Sequence, residues 1–212
     1  MKVITVGNEK GGVGKSTIAC NIAVEAIRNG LKILLVDADT QQSCMDFRAI
    51  RGENNSLPQF QAVSITKNTI HKDIKSFKDF NIVVIDSGGR DTSVFRSAIL
   101  ACDFLIIPVL PSQYDIWATQ GTIKILEEAE SFKDVKSRII LNQVIPNTIV
   151  SREAVEALKE FKLPVFDIKL RSRVAYKQSI SKGTGVSEYE PGGKAAEEMK
   201  IFFEEVKKEL SL

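Results

Sequence analysis

A glycine-rich segment near the N-terminus carries lysines and hydroxyl side chains at spacings that suit phosphate binding. It follows an apolar run, opens a helical pattern, and consists of Lys10-Gly11-Gly12-Val13-Gly14-Lys15-Ser16-Thr17. This is the context of a phosphate-binding loop, in which glycines let backbone N–H groups point at phosphate oxygens and the helix start adds positive charge. We therefore expect Lys15 to bind between the β- and γ-phosphates and the Ser16 hydroxyl to ligate Mg²⁺.

The start of this segment departs from the common pattern Gly-x-x-x-x-Gly-Lys-Ser. Glu9 stands where that pattern has its first glycine, and Lys10 adds a second lysine. We expect Lys10 to point away from the phosphates of its own subunit and to reach the nucleotide of a partner subunit. The alternative, a solvated loop lysine, explains less of the motif.

Three aspartates follow apolar runs that have the pattern of buried strands. Asp37 and Asp39 end one run, and Asp86 ends another. Because ligands of open α/β sheets bind beyond the carboxyl ends of the strands, these acids are expected to converge near the glycine-rich segment. Asp86 fits an acid that holds Mg²⁺ through water, and Gly89 has the spacing of a switch glycine whose N–H senses the γ-phosphate. A strand-capping role remains open for any one of these acids.

Residues 10–17 resemble the deviant Walker A motif of the ParA/MinD family of P-loop ATPases. Residues 37–41 are similar to the family's Asp-x-Asp-Pro-Gln signature, and residues 106–112 to its fourth strand and proline turn. Residues 188–193 resemble the loop that covers the base and ribose. Because the chain begins at its first strand, it is most similar to the short, ParF-like ParA proteins, which lack an N-terminal helix-turn-helix.

The resemblance implies an ATP- and Mg²⁺-dependent sandwich dimer that hydrolyses ATP slowly without its partner. It assigns catalysis to Lys10, Lys15 and Asp39, which positions the attacking water. It assigns the metal to Ser16, Asp37 and Asp86. It assigns nucleotide binding to residues 10–17 with Gly89, Asn142 and Pro191, although Asn142 fits a strand-end turn nearly as well.

Two departures from the family pattern affect the switch segments. Thr40 replaces the proline of the acidic signature, and Gly88-Gly89-Arg90 replaces a frequent Pro-Pro. Glycines make that switch looser. Arg90 fits a contact with phosphate, a contact with a partner, or a solvated position about equally.

Apolar runs alternate with helical patterns along the chain, which predicts a doubly wound, mainly parallel sheet with helices on both faces. The 212 residues suit a single domain, residues 1–212. Strands are expected at 2–6, 32–36, 81–85, 104–109, 138–141 and 164–168. Helices are expected at 16–29, 94–101, 115–131, 151–161, 174–182 and 194–210, and a polar loop at 51–58.

Composition narrows the functional classes. The net charge of +2 does not by itself indicate a nucleic-acid partner. Cys20, Cys44 and Cys102 are far apart in sequence and fit buried apolar positions better than a disulfide or zinc site, and His71 fits the surface. No apolar run has the length of a membrane span, and the apolar stripe at 199–210 fits packing on the sheet better than membrane binding.

A basic stretch precedes the last helix and contains no acid between residues 169 and 182. Such a cluster can neutralise DNA phosphates without sequence readout. The family resemblance favours non-specific DNA binding by the ATP dimer, and a solvated helix face is the alternative. The basic residues are Lys169, Arg171, Arg173, Lys177 and Lys182.

These observations predict a cytoplasmic, nucleoid-associated ATPase for plasmid or chromosome partition, stimulated by a ParB-like centromere-binding protein. A MinD-like membrane-associated positioning ATPase and ParA-like positioning of a protein cargo are the alternatives. An iron-protein type of enzyme is disfavoured because no second cysteine accompanies Cys102 near the switch segment. A nucleotide-binding module without turnover is the remaining alternative.

Overall fold

The protein is built around one six-stranded parallel sheet, here in a computed structural model that describes residues 1–89 and 92–212. The strand order is β3-β2-β4-β1-β5-β6. The strands are β1 Lys2–Val6, β2 Ile33–Ala38, β3 Gln61–Ser64, β4 Ile82–Ser87, β5 Phe104–Val109 and β6 Lys136–Leu141. Every residue of β2, β4 and β5 is buried, which is why these strands are continuous apolar runs in the sequence.

Helices connect the strands and cover both faces of the sheet. One apolar core contains Ile18, Phe47 and Phe202, and the core on the other face contains Phe95 and Ile116. This arrangement confirms the predicted doubly wound fold. The helices are α1 Lys15–Arg28, α2 Ser43–Gly52, α3 Ile70–Asp73, α4 Thr92–Ala101, α5 Gln113–Glu130, α6 Ile149–Leu158, α7 Val174–Ile180, α8 Val186–Tyr189 and α9 Lys194–Leu210.

Two predictions were wrong, one about a strand of the sheet and one about a loop. The expected strand at residues 164–168 is absent from the described part of the chain, where Val165 forms only an isolated bridge to Ile139. The sixth strand is instead β3, whose side chains are all half-buried or exposed because it lies at the sheet edge. The predicted loop at residues 51–58 was wrong at its start, since Arg51 lies in α2 and is fully buried.

The structure shows where the cysteines, the histidine and the apolar stripe of α9 lie. All three cysteines are buried, as predicted. His71 is half-buried rather than a surface residue, and its Nδ1 lies 2.8 Å from the Ser97 hydroxyl. The apolar stripe of α9 packs in the core, and none of the helices in the described ranges is long and apolar enough to cross a bilayer. Arg90 lies outside the described residues.

A buried ion pair joins α2 to the segment around α8. The Arg51 guanidinium donates to both carboxylate oxygens of Glu188 at 2.7 Å, and their side chains are 0% and 5% exposed. Arg51 also donates to the Gly183 carbonyl at 3.0 Å, and the Asn21 side chain of α1 accepts a bond from the Val186 N–H at 2.9 Å. These bonds hold residues 183–188, which include the start of α8, against α1 and α2.

Arg51→Ala is expected to lower the free energy of unfolding by about 3–5 kcal/mol, because it leaves the buried Glu188 carboxylate without a counter-charge. Urea denaturation measures the change. The matched control is Arg96→Ala, since Arg96 pairs with Glu128 at 2.7 Å but both side chains are about half exposed. The control is expected to cost at most about 1 kcal/mol. Equal losses in the two variants would contradict the role given to burial.

Candidate nucleotide-binding site

The loop between β1 and α1 has the backbone geometry of an anion site. Gly12 and Gly14 have φ angles of 78° and 93°, in the left-handed region that glycine tolerates best. In the described part of the chain, no side chain caps the start of α1, so its first N–H groups stay available to an anion. The buried Val13 side chain fixes the middle of the loop to the core.

The entrance to this loop is hydrogen-bonded to α5 and β5. The Asn8 amide donates to the Pro108 carbonyl at 2.9 Å, and its oxygen accepts the Lys10 N–H at 2.9 Å. The Thr122 hydroxyl donates to the same oxygen at 3.1 Å and accepts the Glu9 N–H at 3.0 Å. The backbone before the loop is therefore held against α5 and β5.

Asn142 supports the loop from behind. Its amide donates to the Val13 carbonyl at 2.8 Å, and a Cβ at Gly14 would collide with the same amide. The neighbouring Gln143 donates to the Gly12 carbonyl at 3.3 Å. The position at the end of β6 thus holds the loop in shape, and contact of Asn142 with a base stays a prediction.

Lys15 places a buried ammonium inside the loop. Its Nζ donates to the Lys10 carbonyl at 3.0 Å, and the residue is 8% exposed. Burial lowers the pKa of Lys15, whereas the nearby Asp86 and Asp39 carboxylates act to raise it. A desolvated cation at the start of a helix is strongly attracted to a polyanion.

Lys10 takes a different direction from Lys15. Its Nζ lies 3.6 Å from Asp115 Oδ1 of α5, and its side chain is 43% exposed. The described residues that line the phosphate cleft include Glu9 and Gly11 but not Lys10. The ammonium of Lys10 therefore lies at the rim, outside the cleft.

Asp86 is the second-last residue of β4, lies beneath the loop and is 1% exposed. Its Oδ2 accepts a bond from the Cys44 thiol at 3.2 Å, and its Oδ1 has no hydrogen-bond partner among the described residues. Burial raises the pKa of Asp86 to about 7, Asp37 adds to this rise, and Ser16, Cys44 and Lys15 oppose it. An orphaned, buried carboxylate oxygen beside a serine hydroxyl is suited to a cation.

Asp37 has both carboxylate oxygens engaged by backbone. Its Oδ2 accepts the N–H groups of Cys44 and Met45 at 2.9 and 3.0 Å, and its Oδ1 accepts that of Asp39 at 3.1 Å. Burial raises the pKa of Asp37, and these hydrogen bonds lower it. The carboxylate thus stabilises the N-terminus of α2, and its place near Mg²⁺ stays a prediction.

The residues present fit a magnesium ion that is shared with phosphate. Mg²⁺ binds oxygen ligands, keeps several waters and takes few protein carboxylates beside substrate phosphates. The Ser16 hydroxyl and Asp86 Oδ1 supply such oxygens. The described ranges contain no group of three or more His, Cys, Asp or Glu that could hold a metal ion.

The cleft above these residues has a volume of about 570 Å³ and is lined by Lys15, Ser16, Asp39 and Gly89 among others. Asp39 Oδ1 accepts the Gln41 N–H at 3.0 Å at its edge. A Cβ at Gly89 would lie 3.1 Å from Lys15 Nζ and 2.6 Å from the Glu9 carbonyl, so only glycine fits this close to the loop. Pro191 is exposed and is not among the described lining residues.

A larger groove, of about 1050 Å³, lies between α6 and α9. It shares no described lining residue with the phosphate cleft. Both acidic and basic side chains line it, among them Arg152, Asp167, Lys194 and Glu197. Mixed charge does not select a polyanion, so the smaller cleft is the nucleotide candidate.

Two cations of the basic stretch pair with an acid, and three are exposed lysines without an ion pair among the described residues. Arg173 donates to Glu198 of α9 at 2.6 Å, and Arg171 Nε lies 3.7 Å from the same carboxylate. These bonds raise the pKa of Arg173. The exposed Lys169, Lys177 and Lys182 remain, although the Lys182 ammonium lies 4.9 Å from the Tyr189 ring. Residues 169–182 contain no acid. The carboxylate that pairs with Arg173 belongs to Glu198 of α9, 25 residues further along the chain.

The sequence analysis missed the site roles of Cys44, Thr122 and Glu198. Cys44 belongs to α2, which was not predicted, and its Sγ lies 3.5 Å from Cys20 Sγ although the two are distant in sequence. Thr122 was placed correctly on a helix, but only the packing of α5 against β5 brings its hydroxyl to the loop. Such contacts have no local sequence signal.

Known proteins resemble this chain along most of its length. The family model for the CobQ/CobB/MinD/ParA nucleotide binding domain matches residues 4–186. Maintenance of carboxysome distribution protein A of Halothiobacillus neapolitanus is 29% identical over 207 residues, which cover 96% of this chain and 95% of that protein.

Solved structures share the fold. The Cyanothece McdA(D38A)–ATP complex superposes with a TM-score of 0.81 at 21% identity, covering 100% of this chain and 97% of that one. The septum site-determining protein MinD of Pyrococcus horikoshii OT3, complexed with Mg-ADP, gives a TM-score of 0.76 at 19% identity, with coverages of 98% and 96%. The six-stranded parallel sheet is therefore a fold of known nucleotide-binding proteins.

Without nucleotide, the Asp86→Asn variant is expected to be more stable than the parent, by an amount that grows as the pH rises. Burial raises the pKa of Asp86 from 3.8 to about 7 on folding, so the folded state binds the proton more tightly than the unfolded chain. The free energy of unfolding of the parent therefore falls between these pH values, and the variant is expected to gain about 2–4 kcal/mol relative to it. Denaturation midpoints measured from about pH 4 to about pH 8 give the difference, since this range starts near the lower pKa and extends past the higher one.

The control is Asp134→Asn, which removes one exposed carboxylate. Its free energy of unfolding is expected to differ from that of the parent by at most about 0.5 kcal/mol across this pH range. A flat difference for Asp86→Asn as well would show that this carboxyl group titrates like an exposed one, and would contradict its assignment as a desolvated cation ligand.

Proposed function

The chain belongs to the CobQ/CobB/MinD/ParA nucleotide-binding family, and from this premise we propose that it is a ParA-like positioning ATPase whose ATP-bound form is a dimer. The substrate is ATP and the metal is Mg²⁺. The proposal places the protein in the cytoplasm, bound to the nucleoid in its ATP state.

The main support for a dimer is that the two lysines of the loop lie in different positions relative to the phosphate cleft. Lys15 lies inside the cleft, and Lys10 lies at its rim with a partly exposed ammonium. A lysine that does not face its own phosphate site is free to enter the site of a second copy. Two copies related by a twofold axis would then each supply Lys10 to the other's nucleotide.

Hydrolysis needs little more than positioning and charge. The loop N–H groups and Lys15 hold the phosphates, and Mg²⁺ held by Ser16 and Asp86 would neutralise charge on the β- and γ-phosphate oxygens. Asp39, at the cleft edge, orients the attacking water, and the Gly89 N–H meets the γ-phosphate. Lys10 from the second copy stabilises the charge that develops during transfer.

The cargo has two candidates. Partition of a plasmid or chromosome, with non-specific DNA as the matrix and a ParB-like centromere-binding protein as the stimulating partner, agrees with the exposed Lys169, Lys177 and Lys182. Positioning of a protein body is the second candidate. It is favoured by the carboxysome-distribution relative, which matches 96% of this chain.

A MinD-like membrane role finds no support in α9. The apolar side chains of its stripe, including Met199, Phe202 and Val206, are buried in the core, whereas Ile201 is 44% exposed. The exposed face carries Glu204 and Lys208, which do not favour an anionic bilayer. For this helix to bind lipid, it would have to leave the sheet.

Lys10→Ala is expected to bind ATP with nearly parental affinity but to lose ATP-dependent dimerisation, and hydrolysis is expected to fall on the order of a hundredfold. Calorimetry, sedimentation and phosphate release measure these three properties. Lys15→Ala should instead lose ATP binding itself, and Lys124→Ala, a change at an exposed lysine of α5, should be silent. Dimerisation of Lys10→Ala at parental strength would contradict the proposal.

Replacement of Lys169, Lys177 and Lys182 together by alanine is expected to weaken DNA binding of the ATP dimer and to reduce its salt dependence. The matched control replaces three exposed lysines on the opposite face of the sheet, Lys67, Lys72 and Lys75. Mobility shifts with ATP, ADP and rising salt measure the effect. Equal losses in the two triple variants, or equal binding with ATP and ADP, would contradict a nucleotide-controlled DNA surface here.

A further inference from the structure

Two exposed aromatic side chains of α5 lie close in sequence to Asp115, which pairs with Lys10, and have no role in the site described above. Tyr114 and Trp117 are 77% and 55% exposed. Their rings meet edge to face, with centroids 5.7 Å apart. We refer to these two residues as the α5 aromatic pair. Large aromatic side chains in solvent are enriched where protein surfaces meet.

Three contacts link α5, which carries the aromatic pair, to the phosphate loop. Asp115 lies between the two aromatic residues and pairs with Lys10 at 3.6 Å. Gly121 follows Trp117 by one helical turn on the same face, and a methyl group there would collide with Glu9 Oε2. One residue further on, Thr122 accepts the Glu9 N–H. The helix that carries the aromatic pair thus packs directly against the rim of the cleft.

Asp115 is itself held in place. Its Oδ2 accepts a bond from the Ser112 hydroxyl, and its N–H donates to the same hydroxyl at 3.2 Å, which caps α5. Only Oδ1 is directed to Lys10, at a distance and exposure at which an ion pair contributes little. Lys10 can therefore leave Asp115 at small cost when a stronger anion approaches.

We propose that the α5 aromatic pair is part of the surface on which a second copy of this chain docks in the ATP state. The inference rests on the proposed function, because a cation at position 10 that enters the second copy's phosphate cleft must bring its own surroundings into that interface. Charge complementarity between Lys10 and the triphosphate selects a second copy as the occupant. The aromatic rings then supply buried apolar area around the exchanged lysine, and Asp115 releases it.

Trp117 makes the test direct, because it is the one tryptophan of the chain. Tryptophan emission of the unmodified protein is recorded with a non-hydrolysable ATP analogue and with ADP over a range of protein concentrations. We expect a shift to shorter wavelength with the ATP analogue alone, which follows the dimer fraction measured by sedimentation. A dimer that forms without the shift overturns the inference but leaves the proposed function standing.

A variant series gives an independent readout in the non-hydrolysing Asp39→Ala background. Trp117→Ala is expected to weaken ATP-dependent dimerisation about tenfold or more, with ATP binding to the monomer unchanged. The control is Phe132→Ala, which removes an 83% exposed aromatic residue just beyond the other end of α5. Equal dimerisation of the two variants, or a fluorescence shift that needs added DNA or a second protein, overturns the inference. A parent chain that stays monomeric with ATP overturns the proposed function itself.

Discussion

The attraction between a polyanion and the positive charge gathered at the end of β1 is the interaction on which the rest of this structure depends. Left-handed backbone at Gly12 and Gly14 forms the loop, and the start of α1 and the buried Lys15 ammonium supply the charge. Burial disfavours the charged form of both groups: it lowers the pKa of Lys15 and raises the pKa of Asp86. A bound nucleotide and its metal would satisfy both groups.

The surrounding fold keeps these groups in position and links them to other surfaces. Asn8, Thr122 and Asn142 hold the loop from two sides. Asp37 hydrogen-bonds the start of α2, whose last turn carries Arg51, and Arg51 pairs with Glu188 near the C-terminal segment. Helix α2 therefore connects the phosphate end of the sheet with α8.

The continuous apolar runs of buried strands predicted most of the fold. The edge strand and the more polar helices have no such pattern and were not predicted. The run at β5 is apolar throughout, so its bounds were predicted correctly, whereas β3 is short and half exposed and was missed. The segment around Val165 has strand composition but forms only a single bridge. The loop lysines and aspartates were predictable because their chemistry requires fixed spacing. The pairing of Arg173 with Glu198 was not, because it depends on how α9 packs.

The central claim is that Lys10 acts on the nucleotide of the other subunit, and subunit mixing tests it most directly. Lys10→Ala and Asp39→Ala are each expected to be inactive alone. In a mixed dimer, the Lys10→Ala subunit retains its own Asp39 and receives Lys10 from its neighbour, so one of the two sites is complete. We predict that mixing the two inactive proteins restores ATP hydrolysis. A mixture that forms dimers but stays as inactive as its components would contradict the claim.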